Sequence, residues 1–269
     1  MSQIQNATVL ITGGASGIGK LMGESVLQKG AKTLVIWDVN ESTLNTFANE
    51  LKSKGFHVLP YVVNVMDISQ VISTAEKVKN EIGKIDILIN NAGIIVGKNF
   101  VDHTHQEIEN TMGINANALM HITKEFLPAM LQSNHGHIVN IASAAGLVGN
   151  PKMSVYVASK FAVVGWSESL CLEMEEAKNN VVITTVTPFY INTGMFDGVR
   201  SPIIPIVKPE KATNKIIKGI ENNKRFVRMP GIVYLVPLFK GIFPTSWFNV
   251  IVGKWFGVHK SMDQFKGRK

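Results

Sequence analysis

The chain has 269 residues, 45% hydrophobic and 17% charged, with a net charge of +7. That balance excludes a disordered chain, and the length is enough for a sizeable core in one α/β domain. One cysteine, Cys171, excludes an internal disulfide framework and reads as a packed, inert thiol inside a helix.

The first stretch, MSQIQNATVLITGG, has no basic region followed by a long apolar run, so it reads as a buried strand and not as a secretory leader. No run approaches the roughly 20 apolar residues of a spanning helix. The expectation is a soluble, cytoplasmic protein, at most peripheral to a membrane. Apolar, β-branched strands are expected at 8–12, 33–37, 57–63, 86–90, 137–142 and 181–187, with a seventh near 225–228. Helical segments are expected at 18–29, 41–53, 68–81, 105–131, 155–178 and 209–222. Strand–helix alternation with near-continuous apolar strands predicts a parallel sheet covered on both faces. The fold class is therefore α/β, a single Rossmann-type doubly wound domain over 1–269 of about seven parallel strands. Residues 195–269 are assigned to a substrate lid and a basic, aromatic-rich extension.

In such a sheet, ligands bind beyond the carboxyl ends of the strands. The first strand is followed there by TGGASGIGK, residues 12–20. Gly13, Gly17 and Gly19 permit a tight turn and close backbone approach. Ser16 and Ile18 sit where a helix begins, and its N-terminus suits a pyrophosphate. The second strand ends in Asp38, nineteen residues beyond Gly19. A carboxylate there accepts from both hydroxyls of an adenosine ribose and repels a 2′-phosphate, which favours NAD over NADP. The other reading of Asp38, a cap for the next helix, competes with Asn40 and Ser42 for that place. No metal site is expected.

In SVYVASKFAV, residues 154–163, Tyr156 and Lys160 lie four apart and share a helical face. By itself the pair has two readings: a snorkelling lysine beside a phenol that reaches water, or a proton-transfer pair. Five motifs in order then carry a resemblance to the short-chain dehydrogenase/reductase family. They are Thr12-Gly13-Gly14-Ala15-Ser16-Gly17-Ile18-Gly19, Asn90-Asn91-Ala92-Gly93, Asn115, Ser143, and the Tyr156-x-x-x-Lys160 pair. The resemblance implies that Asn115, Ser143, Tyr156 and Lys160 are catalytic. Tyr156 is the acid/base, acidified by the ammonium of Lys160, and Ser143 holds the substrate oxygen. Asn115 supports a water-linked proton path. A free phenol titrates near pH 10, so it needs such help to act as a base near neutrality.

The same resemblance assigns Asn91, Ala92 and Gly93 to the adenosine ribose, and Asn64-Val65 to the adenine where the family usually has Asp-Val. It assigns Tyr156 and Lys160 a cofactor contact as well, and Pro188, Ile191 and Thr193 the carboxamide end. The usual glycine after that proline is Phe189, which adds bulk to the cleft. VIWDVN, EFLPAMLQSNHGHIVNIASAAG and SKFAVVGWSESL look like the retinol and hydroxysteroid dehydrogenase branch. That branch implies a lipophilic alcohol or its ketone or aldehyde as substrate, and the family implies a homodimer or homotetramer. Two alternatives are an NADPH-dependent 3-oxoacyl thioester reductase and a non-catalytic NAD-binding scaffold at a membrane surface.

Residues 200–269 hold 14 Lys/Arg against 3 Asp/Glu, and nine of the chain's 21 aromatics. In 226–259, basic residues interleave with Trp247, Phe248, Trp255 and Phe256, while Pro237 and Pro244 are expected to interrupt any long helix. Peripheral membrane contact is one reading, and a lid or oligomer contact is the other. Nucleic acid is not expected, because the charge accompanies bulky aliphatics without a groove-reading motif.

Overall fold

A computed structural model of the chain describes residues 3–201, 203–255 and 257–267; the side chains of 252, 254 and 255 lie outside this description. The β-branched runs form strands β1 (Thr8–Thr12), β2 (Thr33–Asp38), β3 (Val58–Val62), β4 (Ile87–Asn90), β5 (Gly136–Ile141), β6 (Val181–Pro188) and β7 (Phe226–Met229). Among the described residues these make one seven-stranded sheet in the order β3-β2-β1-β4-β5-β6-β7, with every pairing parallel. Pro60, which cannot donate to a ladder, sits in β3 at the sheet edge, where it is tolerated.

Successive strand residues point to opposite faces, and both faces are covered. Val9, Ile11, Leu34 and Ile36 pack with Val26 of α1 (Gly17–Gln28), Phe47 of α2 (Glu41–Ser53) and Ile216 of α7 (Pro209–Glu221). Leu10, Val35, Trp37 and Leu88 pack on the other side. Their partners are Val78 of α3 (Ile68–Ile82), Phe126 of α5 (Ala118–Gln132) and Leu170 of α6 (Ser154–Glu176). Burial on both faces is why these strands read as unbroken apolar runs instead of alternating ones.

Two expectations need correction. The segment 105–131 is not one helix. It is α4 (His105–Met112), a π-helical turn over Gly113–Asn117, and then α5. The wider turn directs Asn115 inward, where its amide bonds both backbone groups of Ile94. Pro237 does not interrupt a helix either. It lies in the first turn of α8 (Val236–Ile242), where no partner is needed for the missing N–H. Pro244 stands at the entry to α9 (Thr245–Asn249) and marks the break. No helix among the described residues is long and apolar enough to cross a membrane.

The end of the chain folds back over the sheet. Arg200 N–H donates to the Ser261 carbonyl at 3.1 Å, and Lys266 N–H to the Asp197 carbonyl at 2.8 Å. Phe256 and the ring of Trp255, two of the four aromatics expected at a membrane interface, lie outside the described residues. The two basic residues of 226–240 lie against aromatic rings. The Arg228 guanidinium lies 4.6 Å from the Phe226 ring centroid, and the Lys240 ammonium lies 4.7 Å from that of Phe161.

A buried polar chain ties the elements that carry the site. Asn90 on β4 donates to Asn140 on β5 at 2.9 Å and to Thr123 on α5 at 3.0 Å, and Asn140 donates to Ser167 on α6 at 2.9 Å. Asn140→Ala strands two buried groups, each worth roughly 1–3 kcal/mol, so about 2–4 kcal/mol of stability is expected to be lost. A lowered urea midpoint at unchanged m is the measurement.

Candidate active site

A cavity of about 290 Å³ opens at the carboxyl ends of the strands, where β1 and β4 send their connections to opposite faces. From the first loop come Gly13, Ser16, Gly17 and Ile18; from the end of β2, Asp38; and from beyond β3, Asn64 and Val65. The β4 end supplies Asn91, Ala92 and Gly93, and the β5 end Ser143. Helix α6 contributes Tyr156 and Lys160, and the end of β6 brings Pro188, Ile191 and Thr193. One wall therefore gathers sixteen of the eighteen residues expected in the site.

Gly19 and Asn115 stand outside that wall. A Cβ on Gly19 would lie 2.3 Å from the Gly13 carbonyl oxygen, so the close packing of the loop leaves no room for a side chain there. Asn115 is fully buried, and Ile94 and the Ser159 hydroxyl occupy its amide. It is nonetheless a neighbour of Lys160. A Cβ on Gly93 would be 3.3 Å from Asn115 Oδ1 and 3.7 Å from Lys160 Nζ.

The donor set suits a dinucleotide. The first turn of α1 carries no acidic side chain, so its positive end faces the cavity without compensation. The Asp38 carboxylate is held by two backbone donors, Ala15 N–H on Oδ2 and Asn40 N–H on Oδ1, both at 3.0 Å. Asn40 caps α2 through Thr43 N–H, so Asp38 is not the cap. Ser42 is not the cap either. At Asn64, the side-chain carbonyl expected to face adenine already accepts from Met66 N–H at 3.1 Å.

Tyr156 and Lys160 are both buried on α6. The Lys160 ammonium donates to the Ile141 carbonyl at 2.9 Å and lies 5.6 Å from the Tyr156 ring centroid. Ser143 Oγ accepts from Ala145 N–H at 3.1 Å and donates to the Pro188 carbonyl at 3.4 Å. Burial pushes the Tyr156 phenol well above its ordinary range, against the lowering effect of Ser143. Lys160 is not among the groups that lower it in this geometry. The cause is physical: removal from water penalises phenolate and ammonium alike, and the ammonium is aimed at Ile141 instead of the phenolic oxygen. The same burial draws Lys160 down to about 8.

Phe196 on the wall, and residues packed behind it, escaped the sequence reading. Phe196 meets Tyr156 edge-on with ring centroids 6.1 Å apart, and Met262 packs in the same apolar group. The Tyr190 hydroxyl bonds Ser261 Oγ at 2.8 Å and accepts from Asn150 at 3.0 Å, which ties the chain end to the segments after β5 and β6. The aromatic pair Phe189-Tyr190 after Pro188 was the visible signal; nothing local marks Met262 or Ser261.

A family model described as short chain dehydrogenase matches residues 7–203. The chain belongs to the short-chain dehydrogenase family. It is an oxidoreductase acting on CH–OH groups. Mouse epidermal retinol dehydrogenase 2 is 38% identical over 97% of this dehydrogenase and 85% of the relative. Rat estradiol 17-beta-dehydrogenase 11 is 34% identical over 90% and 82% of the two chains. The crystal structure of a short chain dehydrogenase/reductase from Burkholderia phymatum in complex with NAD superposes with a TM-score of 0.81. It is 26% identical, over 90% of this chain and 95% of the other.

Lys160 makes the stability of this dehydrogenase sensitive to pH. Its folded value near 8 lies below its ordinary 10.5. Between those values the unfolded chain binds the proton and the folded chain does not, so stability rises with pH. The slope is at most about 1.4 kcal/mol per unit. Below pH 8 the penalty is fully present. Urea midpoints from pH 7.5 to 10 are expected to climb in the wild type, and Lys160→Met is expected to remove that climb.

Proposed function

We propose that the protein is an NAD(H)-dependent oxidoreductase that interconverts a lipophilic alcohol and its ketone or aldehyde. The observation that carries this reading is the shared wall: Tyr156, Lys160 and Ser143 face the same cavity as Asp38 and the open first turn of α1. Asp38, with no Arg or Lys beside it in WDVN, supports NAD over NADP and speaks against the NADPH-dependent thioester reductase. Its retinol- and estradiol-dehydrogenase relatives support a lipophilic substrate.

Gly13, Gly17, Ile18, Asp38 and Thr193 are the residues that would hold the dinucleotide, with Lys160 toward the nicotinamide ribose. When bound in its oxidised form, the dinucleotide supplies a hydride acceptor and a positive charge. Tyr156 takes the proton from the alcohol oxygen as the carbon–oxygen double bond forms, and returns it in the reverse direction. A phenol held neutral by burial is already the proton donor that carbonyl reduction needs. Ser143 steadies the substrate oxygen, and Asn115, beside Lys160, acts as a positioning residue. The exposed side chains of Leu238, Ile242 and Trp247 support peripheral membrane contact through 226–259.

Reduction of NAD⁺ and NADP⁺ against retinol, a steroid alcohol and long-chain alcohols tests the reading; NAD⁺ is expected to be preferred. Tyr156→Phe is expected to lower kcat by roughly 10²–10⁴-fold while dinucleotide binding persists in calorimetry. A variant rate near that of the wild type would remove Tyr156 from its assigned role. For the tail, cosedimentation with anionic vesicles at low salt is expected to weaken as salt rises. No sedimentation at low salt would leave 226–259 as lid or subunit contact.

A further inference from the structure

Behind Phe189 lies a second cavity of about 300 Å³, and every residue lining it is apolar. Phe189 belongs to both cavities. Ala144, on the wall of the second, directly follows Ser143, on the wall of the first. A group extending from the reacting carbon past Ser143 thus meets the second cavity across a single aromatic ring. The floor is solid: Val233, Phe248 and Val258 are buried. The mouth is greasy: Ile232 and Phe239 line the cavity while 37% and 40% exposed.

Volume and shape argue for what this space takes. The first cavity is small by the standard of ligand sites, which run from roughly 300 to 1,000 Å³. It must serve both a dinucleotide and the reacting carbon, so the bulk of a lipophilic substrate needs another volume. Two modest cavities divided by one ring suit a compact polar head and a chain that bends. A rigid fused-ring body would need its volume in one piece. The tail builds the floor and mouth, through the 3₁₀ turn Gly231–Leu235, α8, α9 and Val258.

We propose that the second cavity receives the flexible apolar chain of a long-chain alcohol, with Phe189 as the wall around which it turns, and that the tail residues lining it, from Ile232 to Ile251 together with Val258, thereby set substrate length. The inference rests on the alcohol dehydrogenase reading and names the substrate class within it.

The test is NAD⁺ reduction with straight primary alcohols from butanol to hexadecanol. Wild-type kcat/KM is expected to rise by up to roughly fourfold per added methylene, then level off when the cavity is full. Val236→Trp and Ile251→Trp each place an indole in the cavity. Each is expected to cut the dodecanol-to-butanol ratio of kcat/KM at least tenfold, with circular dichroism reporting the fold. An unmoved ratio in a folded variant overturns the proposal. Fluorescence of cis-parinaric acid reads the cavity without turnover. Binding by the wild type and at least tenfold weaker binding by the variants supports the assignment, and no wild-type binding overturns it. Parinaric acid bound by the wild type and lost in the variants, with no alcohol of any length oxidised, keeps the cavity and sinks the dehydrogenase reading instead.

Discussion

At the carboxyl end of β1 the side-chain amide of Asn91 donates to two carbonyls, those of Thr12 and Gly13, both at 3.0 Å. The Thr12 hydroxyl answers by accepting the N–H groups of Asn91 and Ala92, again at 3.0 Å. These four bonds join the strands at the point where their connections part to opposite faces of the sheet. A buried carbonyl left without a partner is costly, so the crossing has one favoured geometry. The close approach leaves no space for side chains: a Cβ on Gly13 would lie 2.9 Å from Ala92 Cα. The cavity floor, the start of α1 and the position of Gly93 beside Lys160 all follow from this lock.

Around it the site is a compromise between burial and charge. Tyr156 and Lys160 sit where water is excluded, and both shift toward their neutral forms. The phenol is thus held neutral, while Lys160 keeps its proton below about pH 8. The buried polar chain through Asn90, Asn140 and Ser167 holds β4, β5 and α6 in register, so Ser143 and Tyr156 meet although thirteen residues separate them.

The tail has a double character. Some of its cations stack on rings: Arg225 and Arg228 on Phe226, and Lys215 and Arg228 on Tyr234. Its aliphatics divide into a buried floor under Phe189 and an outward ridge, with Leu238, Ile242 and Trp247 at 56%, 64% and 65% exposed. A segment organised in this way suits both covering an apolar ligand and resting on an apolar phase, since burial of nonpolar area drives each.

Strand positions were legible because a parallel strand buried on both faces must be apolar at every residue, and TVLIT or DILIN has no other use for such a run. The glycine loop, Asp38 and the Tyr156–Lys160 spacing were legible because each is a local pattern with a local physical reason: turn geometry, strand-end position and helical pitch. The π-turn at Asn115 was not, since its cause is a bond to Ile94 across the fold. Nor was the neutral bias of Tyr156 and Lys160, because desolvation depends on what packs overhead: Phe196, Met262 and the returning chain end. The sequence alone therefore determined which chemistry the residues are equipped for and the order of the elements that carry them. Only the tertiary structure decided which charges survive burial and where a second apolar volume opens, because both depend on groups distant in the chain that meet only after folding.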